Sequence, residues 1–180
     1  MRTTMQTQPD ELRRLLTDRD PAHAAAERIA DRRTWLVGIG TSWHAAHHGA
    51  WLLGAAGVDA CALHAADVAP YARPFDAADA VIVLSHTGQT GYTAQAREAA
   101  REAGATVVHV TAIGKGGDLE TVAPETSYAY TASHTGALMR LAQIAEALGA
   151  DLGALAAVPD AVAGVLAAPG AVVEPPHPLH

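Results

Sequence analysis

Cysteine is almost missing from this chain of 180 residues: Cys61 stands alone. That excludes an internal disulfide and a thiolate metal site, and it fits a reducing compartment. Cys61 lies in an apolar stretch and reads as a buried small hydrophobe. Aromatic residues are scarce as well, with one Phe, four Tyr and three Trp, so Ala, Val, Leu and Ile must fill the core. Positive charge is in deficit, with 12 Lys and Arg against 19 Asp and Glu and a net charge of -7. A nucleic-acid backbone or an anionic membrane surface is therefore a poor partner. No stretch reaches the roughly 20 uninterrupted apolar residues of a membrane span, and Met1 to Asp10 has no apolar signal core. The expectation is one domain working in the cytoplasm, without nucleic acid or membrane as a partner. No internal repeat suggests a solenoid.

The hydrophobic pattern alternates between two kinds of element. From Pro9 to Arg33 it is helical, broken at Asp20-Pro21, where Asp20 is expected to cap a second helix opening on Pro21. Four β-like runs follow at Thr34 to Ile39, Val58 to Leu63, Ala80 to Ser85 and Thr106 to Thr111. Ala-rich helical segments separate them, notably Ser42 to Leu53 and Tyr92 to Ala103. The run Ala80-Val81-Ile82-Val83-Leu84 is apolar without alternation, as in a strand covered on both faces. Strand, helix, strand repetition predicts an α/β fold, a parallel sheet in a three-layer αβα sandwich. Thr126 to Thr131 is the expected fifth strand. Gly136 to Leu148 is an amphipathic helix with Leu138, Leu141, Ile144, Ala145 and Leu148 on one stripe. The chain thus divides into an N-terminal helical segment (1–33), a core domain (34–150), and a weak helix with a Pro-rich linker or tail (151–180).

Two strand ends carry the same device. Gly38-Ile39-Gly40-Thr41-Ser42 follows the first strand, and Ser85-His86-Thr87-Gly88-Gln89-Thr90-Gly91 follows the third. Glycines permit close backbone approach, first-turn N–H groups lack intrahelical partners, and the helix dipole adds positive potential, which together suit a dianionic phosphate. Ser and Thr hydroxyls supply further donors without Lys or Arg. In a flavodoxin-like strand order the first and third strands are adjacent, so both turns open into one crevice. The plainer alternative is that Thr41, Ser42, Thr87 and Thr90 merely cap helices. The glycines do not complete a dinucleotide fingerprint, and the Gly-Lys-Ser/Thr of a P-loop is absent.

Gly40-Thr41-Ser42-Trp43-His44-Ala45-Ala46 resembles the GTSxHAA segment of the sugar isomerase (SIS) domain family, as found in the isomerase half of glucosamine-6-phosphate synthase. Ser85-His86-Thr87-Gly88-Gln89-Thr90 is similar to the SxSGxT turn of that family. Tyr128-Ala129-Tyr130-Thr131 resembles a third stretch, with Tyr128 where the family has Lys and with Thr126 and Ser127 on its Ser and Thr. The likeness runs from about residue 34 to 149. It implies a five-stranded parallel SIS sheet and a fructose- or glucosamine-6-phosphate-like ligand. The substrate-binding set it implies is Gly40, Thr41, Ser42, Ser85, His86, Thr87, Gly88, Gln89, Thr90, Thr126 and Ser127. The chemistry implied is that of a phosphosugar isomerase, or of an aminosugar-phosphate deaminase or deglycase, with no cofactor and no metal. The alternative is a non-catalytic sugar-phosphate sensor or half-site module of a larger two-SIS protein. A homodimer or higher homo-oligomer would complete the site.

An aldose-ketose isomerase needs a base poised near neutrality. Glu125, near a strand end, is one candidate, though a solvated surface carboxylate fits its Pro124 and Thr126 neighbours too. His134 is another candidate, or simply part of the first turn of a helix. His44 and His48 are four apart on one helix, a spacing compatible with a metal, but no carboxylate lies nearby in sequence. Asp67 can reach the crevice rim or cap a turn. Lys115, in Gly114-Lys115-Gly116-Gly117, can pair with a phosphate or stand as an exposed loop lysine.

Overall fold

The computed structural model of the chain describes residues 2–68, 75–126 and 130–168, with the Arg2 side chain left aside. The elements run α1 (Arg2–Thr17), α2 (Asp20–Ile29), β1 (Thr34–Gly38), α3 (Thr41–Ala55), β2 (Ala60–His64), β3 (Ala80–Leu84), α4 (Gly91–Glu102), β4 (Thr106–Thr111), β5 (Leu119–Glu120), α5 (Ala132–Ala147) and α6 (Val158–Ala167). The five strands form one sheet in the order β2-β1-β3-β4-β5. Each neighbouring pair is parallel, with Thr34 opposite Ala80 and Ala80 opposite Thr106.

β3 is buried along its whole length because both faces are covered. Ala80, Ile82 and Leu84 point into a core built with Ala22, Ala25, Ala26 and Ile29 of α2, Ala45, Ala46 and Leu53 of α3, and Leu141, Ile144 and Ala145 of α5. Val81 and Val83 point the other way, onto Ala96 and Ala100 of α4, with Phe75 and Ala65. The alternation of side chains along a strand thus produces the three layers. Small alanines let the helices lie close to the sheet, which is how a core with one Phe reaches dense packing. α1 packs outside this sandwich against α5 and α6, where Leu12, Leu15 and Met139 form a separate cluster.

Several expectations are corrected. The fifth strand is Leu119–Glu120, pairing Val110 with Leu119 and Thr111 with Glu120, and not Thr126 to Thr131. Thr126, Tyr130 and Thr131 are outside any strand, and residues 127–129 lie outside the described residues. Backbone N–H groups at Thr131 and Ser133 are instead used to start α5, which opens at Ala132, a turn before the expected Gly136. Asp20 is the first residue of α2 and makes no cap: Arg19 occupies that position without a side-chain hydrogen bond. α1 begins at Arg2 and carries Pro9 in its interior. Cys61 is exposed, because β2 is an edge strand whose side chains are only partly covered.

Candidate functional site

The turn after β1 is shaped by two glycines. A Cβ on Gly38 would lie 2.5 Å from the Ser42 carbonyl group and 2.8 Å from the Trp43 nitrogen, so only glycine lets β1 run so close under the start of α3. Gly40 then turns the chain with φ of 57° and ψ of -130°. Its carbonyl accepts the N–H of Trp43 and of His44. The N–H groups of Thr41 and Ser42 have no protein partner among the described residues, and neither side-chain hydroxyl makes a hydrogen bond among them. They are therefore available to an anion at the positive end of the α3 dipole.

The second turn leaves β3 and is held by its own backbone. Ser85 N–H donates to Val110, Gly88 N–H to Ser85, and Gln89 N–H to the Thr87 hydroxyl. The Ser85 and Thr87 hydroxyls each lie 3.5 Å from Thr90 Oγ1, a long and weak contact. Thr90 stands at the cap position of α4 without a side-chain cap hydrogen bond. Because β1 and β3 are neighbours, the two turns open on one cavity of about 330 Å³. Ile39, Gly40, Thr41, Ser42, Ser85, His86, Thr87 and Thr90 line it, and Tyr130, Ser133 and His134 close it from the start of α5.

His86 and His134 line this cavity, whereas Glu125 is not among its lining residues and sits behind it, against His86 and the start of α5. Burial pushes the Glu125 carboxyl up, but hydrogen bonds from Ser133, Thr131 and Ala132 outweigh it and hold the group below its ordinary value. The Ser133 N–H donates to Oε2 at 2.8 Å and the Thr131 N–H to Oε1 at 3.2 Å, so Glu125 caps α5 from outside. That direction is opposite to the one a general base needs. His86 accepts the Glu125 N–H on Nε2 at 2.9 Å, which puts the proton of the neutral ring on Nδ1. Its ring packs against that of Tyr130 in a tilted contact, centroids 5.2 Å apart and planes inclined at 54°. Burial lowers its pKa, against the Glu125 charge and with help from Lys115. His134 is also lowered, by burial and then by His48 and His44, while a hydrogen bond with the Thr41 backbone opposes the shift. Both rings keep a buried Nδ1 without a partner among the described residues.

Not every expected residue reaches the cavity. Gly88 and Gln89 line a separate cleft on the other side of their turn, together with Lys115. Thr126 and Asp67 are exposed and line neither, and Ser127 lies outside the described residues. His44, His47 and His48 are exposed on α3, and among the described residues no group of three or more His, Cys, Asp or Glu is placed to hold a metal ion. Thr111, Thr121 and Ser133 line the cavity without having been singled out from the sequence. Thr111 ends β4 beside the second turn, and strand-end hydroxyls are the signal that points to it.

Among the described residues no helix is long and apolar enough to cross a membrane. The SIS domain family model matches residues 29–147. A glutamine–fructose-6-phosphate aminotransferase (isomerizing) from Pyrobaculum aerophilum is 33% identical over 107 residues, covering 58% of this chain and 18% of that relative. The chain therefore spans less than a fifth of that relative's length. In structure, tagatose-6-phosphate ketose/aldose isomerase from Escherichia coli superposes with a TM-score of 0.69 at 18% identity, over 94% of this chain and 52% of that one. The Vibrio vulnificus NanR protein, complexed with ManNAc-6P, superposes with a TM-score of 0.67 at 20% identity, over 96% of this chain and 69% of that one. At such identities these two likenesses show a shared fold.

Proposed function

The chain belongs to the SIS domain family, and from that premise we propose that its cavity binds a sugar phosphate of the aminosugar or ketohexose 6-phosphate class. The observation that carries this reading is the convergence of two uncapped, hydroxyl-rich turns on one cavity. Thr41, Ser42, Ser85, Thr87 and Thr90 hold the phosphate, with the Thr41 and Ser42 N–H groups as the fixed donors. Tyr130, Ser133 and His134 face the sugar. The binding unit is residues 34–150, and it works in the cytoplasm.

A second reading, that the domain isomerises or deaminates its ligand, is favoured by one observation: the cavity-lining His134, whose pKa burial lowers, keeps a buried Nδ1 free of any partner among the described residues. Such a nitrogen can take a proton from the carbon beside a carbonyl and return it to the neighbouring carbon through an enediol, without metal or organic cofactor. Glu125 serves this reading by fixing the start of α5, and so the position of His134. Self-association into a homodimer or higher oligomer is supported by Trp51, 72% exposed beside an apolar groove between α1, α3, α5 and α6.

Binding is tested by thermal-shift titration with fructose 6-phosphate, glucosamine 6-phosphate and inorganic phosphate. Stabilisation by the sugar phosphates that a Ser42→Ala, Ser85→Ala double variant loses supports the site; equal stabilisation of both proteins refutes it. Turnover is tested by deuterium uptake from D₂O at the sugar carbons next to the carbonyl, which His134→Asn should abolish if the second reading holds. Light scattering from the purified chain reads the oligomeric state.

A further inference from the structure

Across the Ser85-to-Gly91 turn from the first cavity lies a polar cleft of about 700 Å³, lined by Arg97 and Arg101 of α4, His109 of β4 and the Gly114-to-Asp118 loop. Its charge is anomalous for a chain of net charge -7. Lys115 is the chain's single lysine. Arg13, Arg14, Arg19, Arg28, Arg33 and Arg140 each sit against a carboxylate. Arg97 and Lys115 make no ion pair among the described residues, and Arg101 only a distant exposed one, 3.8 Å from Glu98.

Arg97 is half-buried, and its Nε has no partner among the described residues. Its recorded contacts are the ring nitrogens of His109, 3.0 Å and 3.4 Å from Nη1. Burial and the Arg97 charge hold His109 at a pKa of about 4, so at neutral pH the imidazole orients the guanidinium without cancelling its charge. Asp118 is the one carboxylate in the lining, and both its oxygens are committed. One accepts from Arg28 at 2.6 Å and the other from the His109 N–H at 2.7 Å. Desolvating a guanidinium without a counter-ion costs free energy that no internal group here offsets. Thr87, Gln89 and the glycine loop add polar groups around the opening.

We propose that this cleft is a second anion site, distinct from the first cavity, in which Arg97, Arg101 and Lys115 receive the phosphate or diphosphate group of a small molecule. Arg97, braced by His109, supplies the oriented fork that suits phosphate oxygens, and Lys115 closes over them from the loop as a mobile point charge. Thr87 lines both cavities, so the two anions are separated by a single turn. The site stands independently of the sugar-phosphate reading.

The test is calorimetric titration of inorganic diphosphate into the Ser42→Ala, Ser85→Ala double variant, in which the first site is weakened by the loss of two hydroxyl donors. Binding of one diphosphate per chain is expected to persist there and to weaken about tenfold on adding Lys115→Gln, an exposed loop change that leaves the fold intact, or Arg97→Gln. Unfolding curves without ligand establish that each variant is folded. Absence of binding to the double variant at about 10 mM diphosphate, or unchanged affinity after both Lys115→Gln and Arg97→Gln, overturns the proposal. Failure of the sugar-phosphate reading shows separately, as fructose 6-phosphate binding that the double variant retains.

Discussion

Replacing Ser85 by Ala separates a ligand-binding hydroxyl from a structural one. The side chain is buried, at 4% exposure, yet its one recorded contact is the 3.5 Å approach to Thr90 Oγ1. A contact at that limit contributes little, so removing it should cost less than about 0.5 kcal/mol of stability. For a chain of this size that is a melting shift of roughly 1 to 2 °C. Donated to a phosphate dianion, the same hydroxyl makes a charge-assisted bond worth about 1.5 to 3 kcal/mol. Losing it should weaken binding by roughly 10- to 100-fold.

The two quantities are read on one sample, by calorimetric titration with fructose 6-phosphate and by thermal unfolding without ligand. The expected pattern is a large loss of affinity with a nearly unchanged melting point. The reverse pattern, affinity within about twofold of the parent and a stability loss above about 1 kcal/mol, would show that Ser85 serves the fold and would sink the phosphate reading of this turn.

Three further outcomes follow from the same geometry. Glu125→Gln keeps one oxygen but loses the charge that two N–H groups share at the start of α5, and should cost about 0.5 to 1.5 kcal/mol in urea unfolding at neutral pH. Since the folded carboxyl lies below its ordinary value of 4.5, the parent's advantage should be present above that pH and disappear as pH falls through the folded pKa. Arg140, 1% exposed, donates to the Glu120 and Asp18 carbonyls, the Asp18 carboxylate and Gln143, tying β5 and the α1–α2 junction to α5. Arg140→Met leaves those acceptors unpaired and should cost about 3 kcal/mol or more by chemical denaturation; a cost below about 1 kcal/mol would contradict that role. His109, held at a pKa of about 4 against an ordinary 6.5, favours the neutral ring in the fold. Its contribution is complete above pH 6.5 and is lost as pH falls from 6.5 towards 4, by about 1 to 2 kcal/mol once screening at the cleft wall is allowed for. His109→Gln should remove that slope, and NMR titration of the ring should give the low pKa directly.

The sheet was legible where local pattern and tertiary environment agree. β4 occupies the expected Thr106 to Thr111 span, and the unbroken apolar run of β3 foretold its burial on both faces. β5 escaped because two residues carry no run: Leu119 and Glu120 become a strand only by pairing with Val110 and Thr111. The role of Glu125 was hidden for a related reason, since its carboxylate reaches forward six and eight residues, to the N–H of Thr131 at the end of the segment taken for a strand and to that of Ser133 beyond it. The second cleft was less legible still. Arg97 and Arg101 are an ordinary exposed-looking pair on an Ala-rich helix, and Lys115 an ordinary loop lysine, until the order β3-β4-β5 brings them to one opening.

The glycine turns show where sequence reasoning reaches its limit even when it locates the right residues. Thr41, Ser42, Thr87 and Thr90 fit helix capping and phosphate binding equally well as a pattern, because both uses place a hydroxyl beside first-turn N–H groups. The distinction lies in whether the caps are made. Gly40 holds the α3 cap position, the Thr41 and Ser42 hydroxyls make no hydrogen bond among the described residues, Thr90 makes no cap bond at the start of α4, and Ser85 reaches Thr90 only at 3.5 Å; Thr87 alone accepts a backbone N–H, that of Gln89. A fold that needed the Thr41, Ser42, Ser85 and Thr90 hydroxyls for its own stability would have closed them onto the backbone, as it does that of Thr87. Left open around a shared cavity, they are donors held in place for an acceptor that the chain itself does not supply.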